Sequence, residues 1–173
     1  VSRSGGPTLL TPGRANLRNE SVGRDSATAV PEAHPLEIRK ARKSDCRAIA
    51  ELALIAGEGI PAHFWSEARA PGRDILDVGT ERAGSETANF SWRNVHIALV
   101  DGEVAGMMLA YRLPDTIDEG DAEGVPAFIR PLIELEQCAP GSFYINMLAC
   151  YPAYRNRSIG SALMALADPL ATA

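Results

Sequence analysis

Near its C-terminus the chain reads Tyr151-Pro-Ala-Tyr-Arg-Asn-Arg-Ser-Ile-Gly-Ser-Ala-Leu-Met164. This stretch follows an apolar run from Phe143 to Cys150 and opens an apolar pattern of helical period, so its order is strand, basic turn and helix. The first N–H groups of a helix have no intrahelical acceptor and carry a partial positive charge, and Arg155 and Arg157 add charged donors. Small residues in the turn let a bulky group approach the backbone. The stretch therefore predicts a binding site for a phosphate group.

The composition limits the classes to which the chain can belong. Its 173 residues suffice for one domain of ordinary size, and 46% hydrophobic with 23% charged residues is typical of a globular protein. A net charge of −5 argues against general nucleic-acid binding, although it leaves room for a local basic pocket. The three widely spaced cysteines indicate neither a disulfide framework nor a metal site, and we expect a reducing, cytoplasmic location. No apolar run is long enough to predict a membrane span.

The remaining chain divides into a tail and one domain. Residues 1–34 are rich in Gly, Ser, Arg, Thr and Pro without apolar periodicity, and we expect a disordered tail. Residues 35–173 predict the order β-α-α-β-β-α-β-α, with Ser44 capping the first helix and Asp101-Gly102 turning a central hairpin. The last helix is expected from about Ser158 until Asp168-Pro169 ends it. This order is an α+β plan.

The basic turn resembles the acetyl-CoA-binding motif of the GNAT family of N-acetyltransferases. The pattern of that family is Arg or Gln, two residues, Gly, one residue, then Gly or Ala, and it maps onto Arg155 to Gly160. The upstream elements also match the family's order, so the resemblance covers about residues 36–167. One residue departs from the pattern, because Ser158 stands where the family usually has Gly. Its Cβ would crowd a pyrophosphate if the position needs a positive φ, and we expect weaker cofactor binding.

The resemblance implies a fold and an activity. The fold is the three-layer α/β/α GNAT acyl-CoA N-acyltransferase fold, with a mixed, mostly antiparallel sheet. The family's β5-α4-β6 portion would be missing, so we expect a domain that is incomplete at its C-terminus. The implied activity is acetyl-CoA-dependent transfer of an acetyl group to a primary amine, on a small molecule or a peptide. The alternative is a truncated, inactive remnant that at most binds CoA. Neither nucleic acid nor membrane is an expected partner, and a homodimer is compatible with the sequence.

By the same resemblance, acetyl-CoA is the acyl donor and its contacts are mostly backbone groups. Its pantetheine arm would pair with the end of the strand, much as an added strand does, and an N–H near Leu148 would face the thioester carbonyl. The N–H groups of residues 155–161 would hold the pyrophosphate. The expected cofactor-binding residues are Leu148, Ala149, Cys150, Arg155, Asn156, Arg157, Ser158, Ile159, Gly160 and Ser161.

Three side chains are candidates for the chemistry. Glu58 lies between the first two helices, where the family commonly builds its acceptor site, and is our candidate base. Its alternative is a solvated loop carboxylate. Tyr144 and Asn146 alternate with Ile145 on the last strand, so both could face the acceptor, or else serve as hydrogen-bonded polar groups of the core.

Several further segments could contribute to the acceptor site. His63 and Trp65 could line the pocket, although packing of the Trp and exposure of the His are the simpler interpretation. The segment Phe90-Ser-Trp-Arg-Asn94 could bind the acceptor or form a packed loop. The acidic residues between 115 and 123 could attract a cationic amine, or form a solvated loop.

Overall fold

The central hairpin forms where the sequence predicts it. In the computed structural model, which describes residues 35–116 and 126–172, β2 (Val95–Val100) and β3 (Glu103–Arg112) are antiparallel neighbours. Asp101 and Gly102 both have positive φ, 53° and 82°, which is the backbone that a two-residue hairpin turn requires. The predicted tail 1–34 and most of the acidic segment lie outside the described residues.

Two outer strands complete a four-stranded sheet of order β1-β2-β3-β4. β1 (Leu36–Lys40) pairs with β2, and β4 (Phe143–Cys150) pairs with β3. All three pairings in the described part of the chain are antiparallel, so the mixed character expected of the sheet is not seen there. Among the described strands, β4 has a neighbour on one side only.

Helices connect and follow the strands. They are α1 (Cys46–Ala56), α2 (Ile60–Glu67), α3 (Ile75–Ala83), α4 (Arg130–Gln137), α5 (Ile159–Met164) and α6 (Ala167–Thr172). The predicted last helix is therefore two short helices, and Pro169 lies in the first turn of α6, where its missing N–H costs no hydrogen bond. The prediction for Ser44 is also wrong, because it lies within a 3₁₀ turn, Lys43–Asp45, that precedes α1.

The two faces of the sheet each carry their own apolar core. On one face α1, α2 and α3 bury side chains such as Ile49, Leu52 and Trp65 against Met107 of β3. Ile49 and Leu52 are fully buried, and each contributes about 1.5–3 kcal/mol relative to an exposed position. On the other face α5 packs Ile159 and Leu163 against strand residues that include Ala98 and Met108. Helices on both faces confirm the three-layer α/β/α arrangement.

A partly buried ion pair fixes the entry to α1. The Asp45 carboxylate accepts hydrogen bonds from both terminal nitrogens of Arg39, at 2.7 and 3.1 Å, and from the Arg42 N–H at 2.6 Å. Burial acts to raise the pKa of Asp45, but these three donors outweigh it and the pKa is lowered. The carboxylate is therefore ionised at neutral pH and holds β1 to the start of α1.

Candidate active site

A cavity of about 590 Å³ opens at the basic turn between β4 and α5. After β4 the chain makes a 3₁₀ turn, Pro152–Tyr154, and a short loop that leads into α5. The residues that line the cavity are Cys150, Tyr154, Arg155, Asn156, Ser158, Ile159, Gly160 and Ser161. All but Tyr154 belong to the predicted cofactor set, whereas Leu148, Ala149 and Arg157 do not line the cavity. The Arg157 guanidinium instead lies 5.6 Å from the centre of the Tyr154 ring.

The loop backbone is shaped to present its N–H groups. Asn156 and Ser158 both adopt the left-handed region, with φ 60° and 59°. The N–H groups of Ile159, Gly160 and Ser161 donate to no acceptor among the described residues, as is usual in the first turn of a helix. A Cβ placed on Gly160 would meet nothing within 4 Å, so the space above it is open. These features fit a bulky anion close to the backbone.

The positive φ of Ser158 bears on the departure from the family pattern. Glycine adopts this region without the steric cost that a Cβ brings. The Ser158 side chain makes no hydrogen bond that caps α5, so the hydroxyl does not offset the cost within the described structure. Ser158 also lines the cavity, and its side chain therefore occupies part of the space near the N–H groups.

Cys150 lies where β4 meets the cavity. Arg155 Nε donates to the Cys150 carbonyl oxygen at 3.4 Å, which joins the turn to the end of the strand. Burial raises the pKa of the Cys150 thiol, and the charge of Arg155 only partly opposes this. The thiol is therefore protonated near neutral pH, which is unlike a nucleophilic cysteine.

A second cavity of about 460 Å³ lies on the α1–α3 face of the sheet. It is enclosed by α2, the end of α3, the segment 85–90 and the strands β3 and β4. Its lining residues are Ile60, Pro61, Phe64, Trp65, Arg82, Ser85, Ala88, Asn89, Phe90, Tyr111, Asn146 and Met147. The cavity thus has a mostly apolar and aromatic wall with a few polar groups, which is typical of sites for small molecules.

A β-bulge brings Asn146 into this second cavity. Met147 pairs with Leu109 and Ile145 pairs with Ala110, so Asn146 is an extra residue without a partner in the β3–β4 register. Successive residues of a regular strand point to opposite faces, but a bulge breaks that alternation. Asn146 and Met147 consequently both line the cavity.

Tyr144 is not among the lining residues of this cavity, but it contacts Tyr111, which lines it. The two rings meet edge to face, with centres 5.6 Å apart and an interplanar angle of 82°. Burial raises the pKa of both phenols, and the negative charge of Glu136 raises them further. Both tyrosines therefore keep their protons at neutral pH and act as hydrogen-bond donors rather than as bases.

The other predicted acceptor residues take different places. Glu58 is exposed in the turn between α1 and α2 with φ 51°, and it is not among the residues that line the second cavity. His63 packs edge-on against Phe64 and Phe128 and lies outside the lining as well. Trp65 is 3% exposed and does line the cavity. The role of Glu58 as the base stays a prediction.

The segment 90–94 combines the two roles considered from the sequence. Phe90 lines the second cavity and packs against the Trp65 ring at 5.8 Å between centres. Ser91 is buried, and its hydroxyl donates to the Ser85 carbonyl at 2.5 Å, so the same segment is also a packed loop. Sequence reasoning missed Arg82, Ser85 and Asn89, which no motif distinguishes from ordinary surface residues.

Comparison with known proteins identifies the family. Residues 61–172, which are 112 of the 173 residues, match the model of the acetyltransferase (GNAT) family, and the chain belongs to that family. It is therefore an N-acetyltransferase by class, and its family transfers acyl groups from acyl-CoA to amine acceptors. No match is found among curated proteins. In the described part of the chain, no helix is long and apolar enough to cross a membrane, and no group of three potential metal ligands occurs.

Solved structures agree with this fold. An acetyltransferase structure with 21% identity superposes with a TM-score of 0.51, over 79% of this chain and 74% of that chain. A mosquito arylalkylamine N-acetyltransferase like 5b, with 17% identity, gives a TM-score of 0.50 over 80% and 71%. At these identities the likeness concerns the fold alone.

Proposed function

We propose that the protein transfers the acetyl group of acetyl-CoA to a primary amine by direct attack of the amine on the thioester. The observation that carries the proposal is the position of two cavities along one strand. The first cavity meets β4 at Cys150, and the second meets it at Asn146. Four residues of extended chain separate these contacts by about 13 Å. An extended pantetheine arm that follows the strand can bridge such a span, with its pyrophosphate at one end and its thioester at the other.

The first cavity supplies the groups that a pyrophosphate needs. Arg155 brings a fixed positive charge, and the N–H groups of Ile159, Gly160 and Ser161 supply donors without other acceptors among the described residues. The open space above Gly160 lets phosphate oxygens come close to the backbone. The predicted set from Leu148 to Ser161 is proposed here as the CoA site on these grounds.

The free edge of β4 supplies the second part of the cofactor site. β4 pairs with β3 on one side only within the described residues, so its outer side carries backbone groups that an extended ligand can pair with. An N–H of this edge near Leu148, which is 37% exposed, would donate to the thioester oxygen as negative charge develops there. The strand thus both orients the donor and polarises it.

The second cavity is the proposed acceptor site. When the amine nitrogen attacks the carbonyl carbon, a C–N bond forms, the C–S bond breaks, the nitrogen loses a proton and the sulfur gains one. Asn146 lines this cavity at the bulge, and in this proposal it would hydrogen-bond the amine or a water beside it. Tyr144 stays protonated and supports Tyr111 at the wall. Glu58 is proposed as the base and would act through water, since its turn lies outside the lining.

The test is a thiol-release assay with acetyl-CoA and a panel of primary amines, with the acetylated product identified by mass spectrometry. We expect release with at least one amine from the intact chain. Gly160→Val should abolish CoA binding without unfolding the protein, because the added side chain enters open space. Arg69→Gln is the matched surface control, since Arg69 is exposed and lines neither cavity.

Two results would contradict the proposed activity or the proposed pyrophosphate site. If the folded protein binds CoA by calorimetry but releases no thiol with any amine of the panel, the result favours the alternative, an inactive remnant that only binds CoA. If Gly160→Val binds CoA as tightly as the parent protein, the loop is not the pyrophosphate site and the proposal fails.

A further inference from the structure

The second cavity has an unusual balance of charge for a site that accepts an amine. Its wall is mainly apolar, with Phe64, Trp65, Phe90 and Met147 among the residues that face the space. Its charged lining residue is Arg82, and the described lining contains no carboxylate. A site for a polycationic amine would need negative groups to compensate the charges that it desolvates. The described wall instead fits an apolar ligand that carries a negative charge.

Arg82 is an exposed residue at the end of α3 whose neighbouring carboxylates, among the described residues, are paired with other basic side chains. Glu81, the preceding residue on α3, forms an ion pair with Arg73 at 3.0 Å. Glu86, which lies beyond the C-terminal end of α3, accepts a short hydrogen bond from Arg93 and also lies 3.6 Å from Lys43. Among the described residues Arg82 has neither an ion pair nor a side-chain hydrogen bond. Its planar guanidinium can therefore bind a ligand carboxylate through two parallel hydrogen bonds.

We propose that the acceptor is a primary amine with a carboxylate on an apolar body, as in an α-amino acid with a large apolar side chain. The inference rests on the proposed function of the second cavity as the acceptor site. Arg82 binds the carboxylate, the aromatic wall buries the apolar side chain, and the amine is directed to Asn146 on β4. The specificity of the enzyme is then set at the end of α3, away from the cofactor loop.

The experiment compares amines that differ only by the carboxylate. Phenylalanine is compared with phenethylamine, and leucine with isopentylamine, by kcat/KM in the thiol-release assay. We expect the intact protein to prefer the carboxylate member of each pair by about tenfold or more. Arg82→Gln should reduce this preference about tenfold, mainly through KM, because the contact is made to substrate and transition state alike. The control Arg69→Gln should keep the preference.

A binding measurement keeps the inference separate from the proposed function. Calorimetric titration with N-acetylphenylalanine and with N-acetylphenethylamine reports the carboxylate contact even if the chain has no turnover. Tighter binding of the first ligand that is lost in Arg82→Gln supports the inference even if the chain has no turnover. Equal binding of the two ligands, or a preference that survives Arg82→Gln, overturns it. Thiol release with phenethylamine as good as with phenylalanine overturns it while leaving the acetyltransferase function intact.

Discussion

Replacing Ser158 by glycine is expected to stabilise the fold. Ser158 has φ 59° and ψ 14°, and its side chain makes no capping hydrogen bond. The left-handed region costs a residue with a Cβ roughly 1–2 kcal/mol. Glycine gives the unfolded chain more entropy, which costs about 0.4–1 kcal/mol of stability. The balance predicts a gain of about 0.8 kcal/mol in the free energy of unfolding, and a rise of about 2 °C in Tm.

The same substitution is expected to strengthen CoA binding. Removing the Cβ and the hydroxyl frees space beside the N–H groups of Ile159 and Gly160, so phosphate oxygens can approach them more closely. One improved hydrogen bond of about 1 kcal/mol corresponds to a roughly fivefold lower Kd. Thermal unfolding of the free protein and calorimetric titration with CoA measure the two effects separately.

Ser158→Ala is the matched variant for this experiment. It keeps the Cβ and most of the backbone cost but lacks the hydroxyl. If the reasoning is right, the alanine variant binds CoA about as the parent protein does and only the glycine variant improves. If both variants bind CoA more weakly, the hydroxyl is itself a phosphate ligand, and the argument from the backbone is refuted.

Three further substitutions test the fold around the site. Asp45→Asn should lower the free energy of unfolding by about 2 kcal/mol at neutral pH. Because the pKa of this carboxyl is lowered in the fold, its contribution is present above about pH 4 and is lost as the pH falls through the folded pKa. The difference between parent and variant should therefore shrink in acid, and a constant difference would contradict the ion pair. Gly79→Ala should destabilise by about 2 kcal/mol and raise the acceptor KM, since its Cβ would lie 2.4 Å from the Trp65 ring; a neutral Tm would refute this contact. Tyr151→Phe removes a 2.6 Å hydrogen bond from the phenol to a carboxylate of α1, and it should lower the free energy of unfolding by about 1 kcal/mol, measured by denaturant titration. An unchanged free energy of unfolding would mean that this hydrogen bond adds nothing beyond what water supplies.

Local signals in the sequence predicted several elements whose structure has a local cause. The Asp101-Gly102 turn forms because these two residues tolerate positive φ, whatever the rest of the chain does. Asp74 is of a residue type that favours the N-cap, and its carboxylate accepts a hydrogen bond from the Leu76 N–H at 2.9 Å at the start of α3. The apolar run from Phe143 to Cys150 predicts β4 with the bounds that the structure has.

Features that depend on distant partners could not be predicted in this way. The bulge at Asn146 arises from the register in which β4 pairs with β3, and no residue type in the strand predicts it. The second cavity joins α2, the segment 85–90 and β4, which are far apart in the sequence. Arg82 becomes significant only because other arginines occupy the neighbouring carboxylates, which is a property of side-chain positions. Pro169 was misjudged as a helix stop because proline suits a first turn as well as it ends a helix.

The one-sided pairing of β4 has a consequence for handling the protein. Within the described residues its outer edge offers unpaired backbone groups, next to an exposed Leu148, and such an edge is a template for another chain to add to the sheet. A ligand that lies along the edge would occupy that template, much as a protective cover strand does. CoA in the purification buffer would then reduce self-association of the protein. Light scattering, measured while the protein is concentrated with and without CoA, would detect this effect without any assay of turnover.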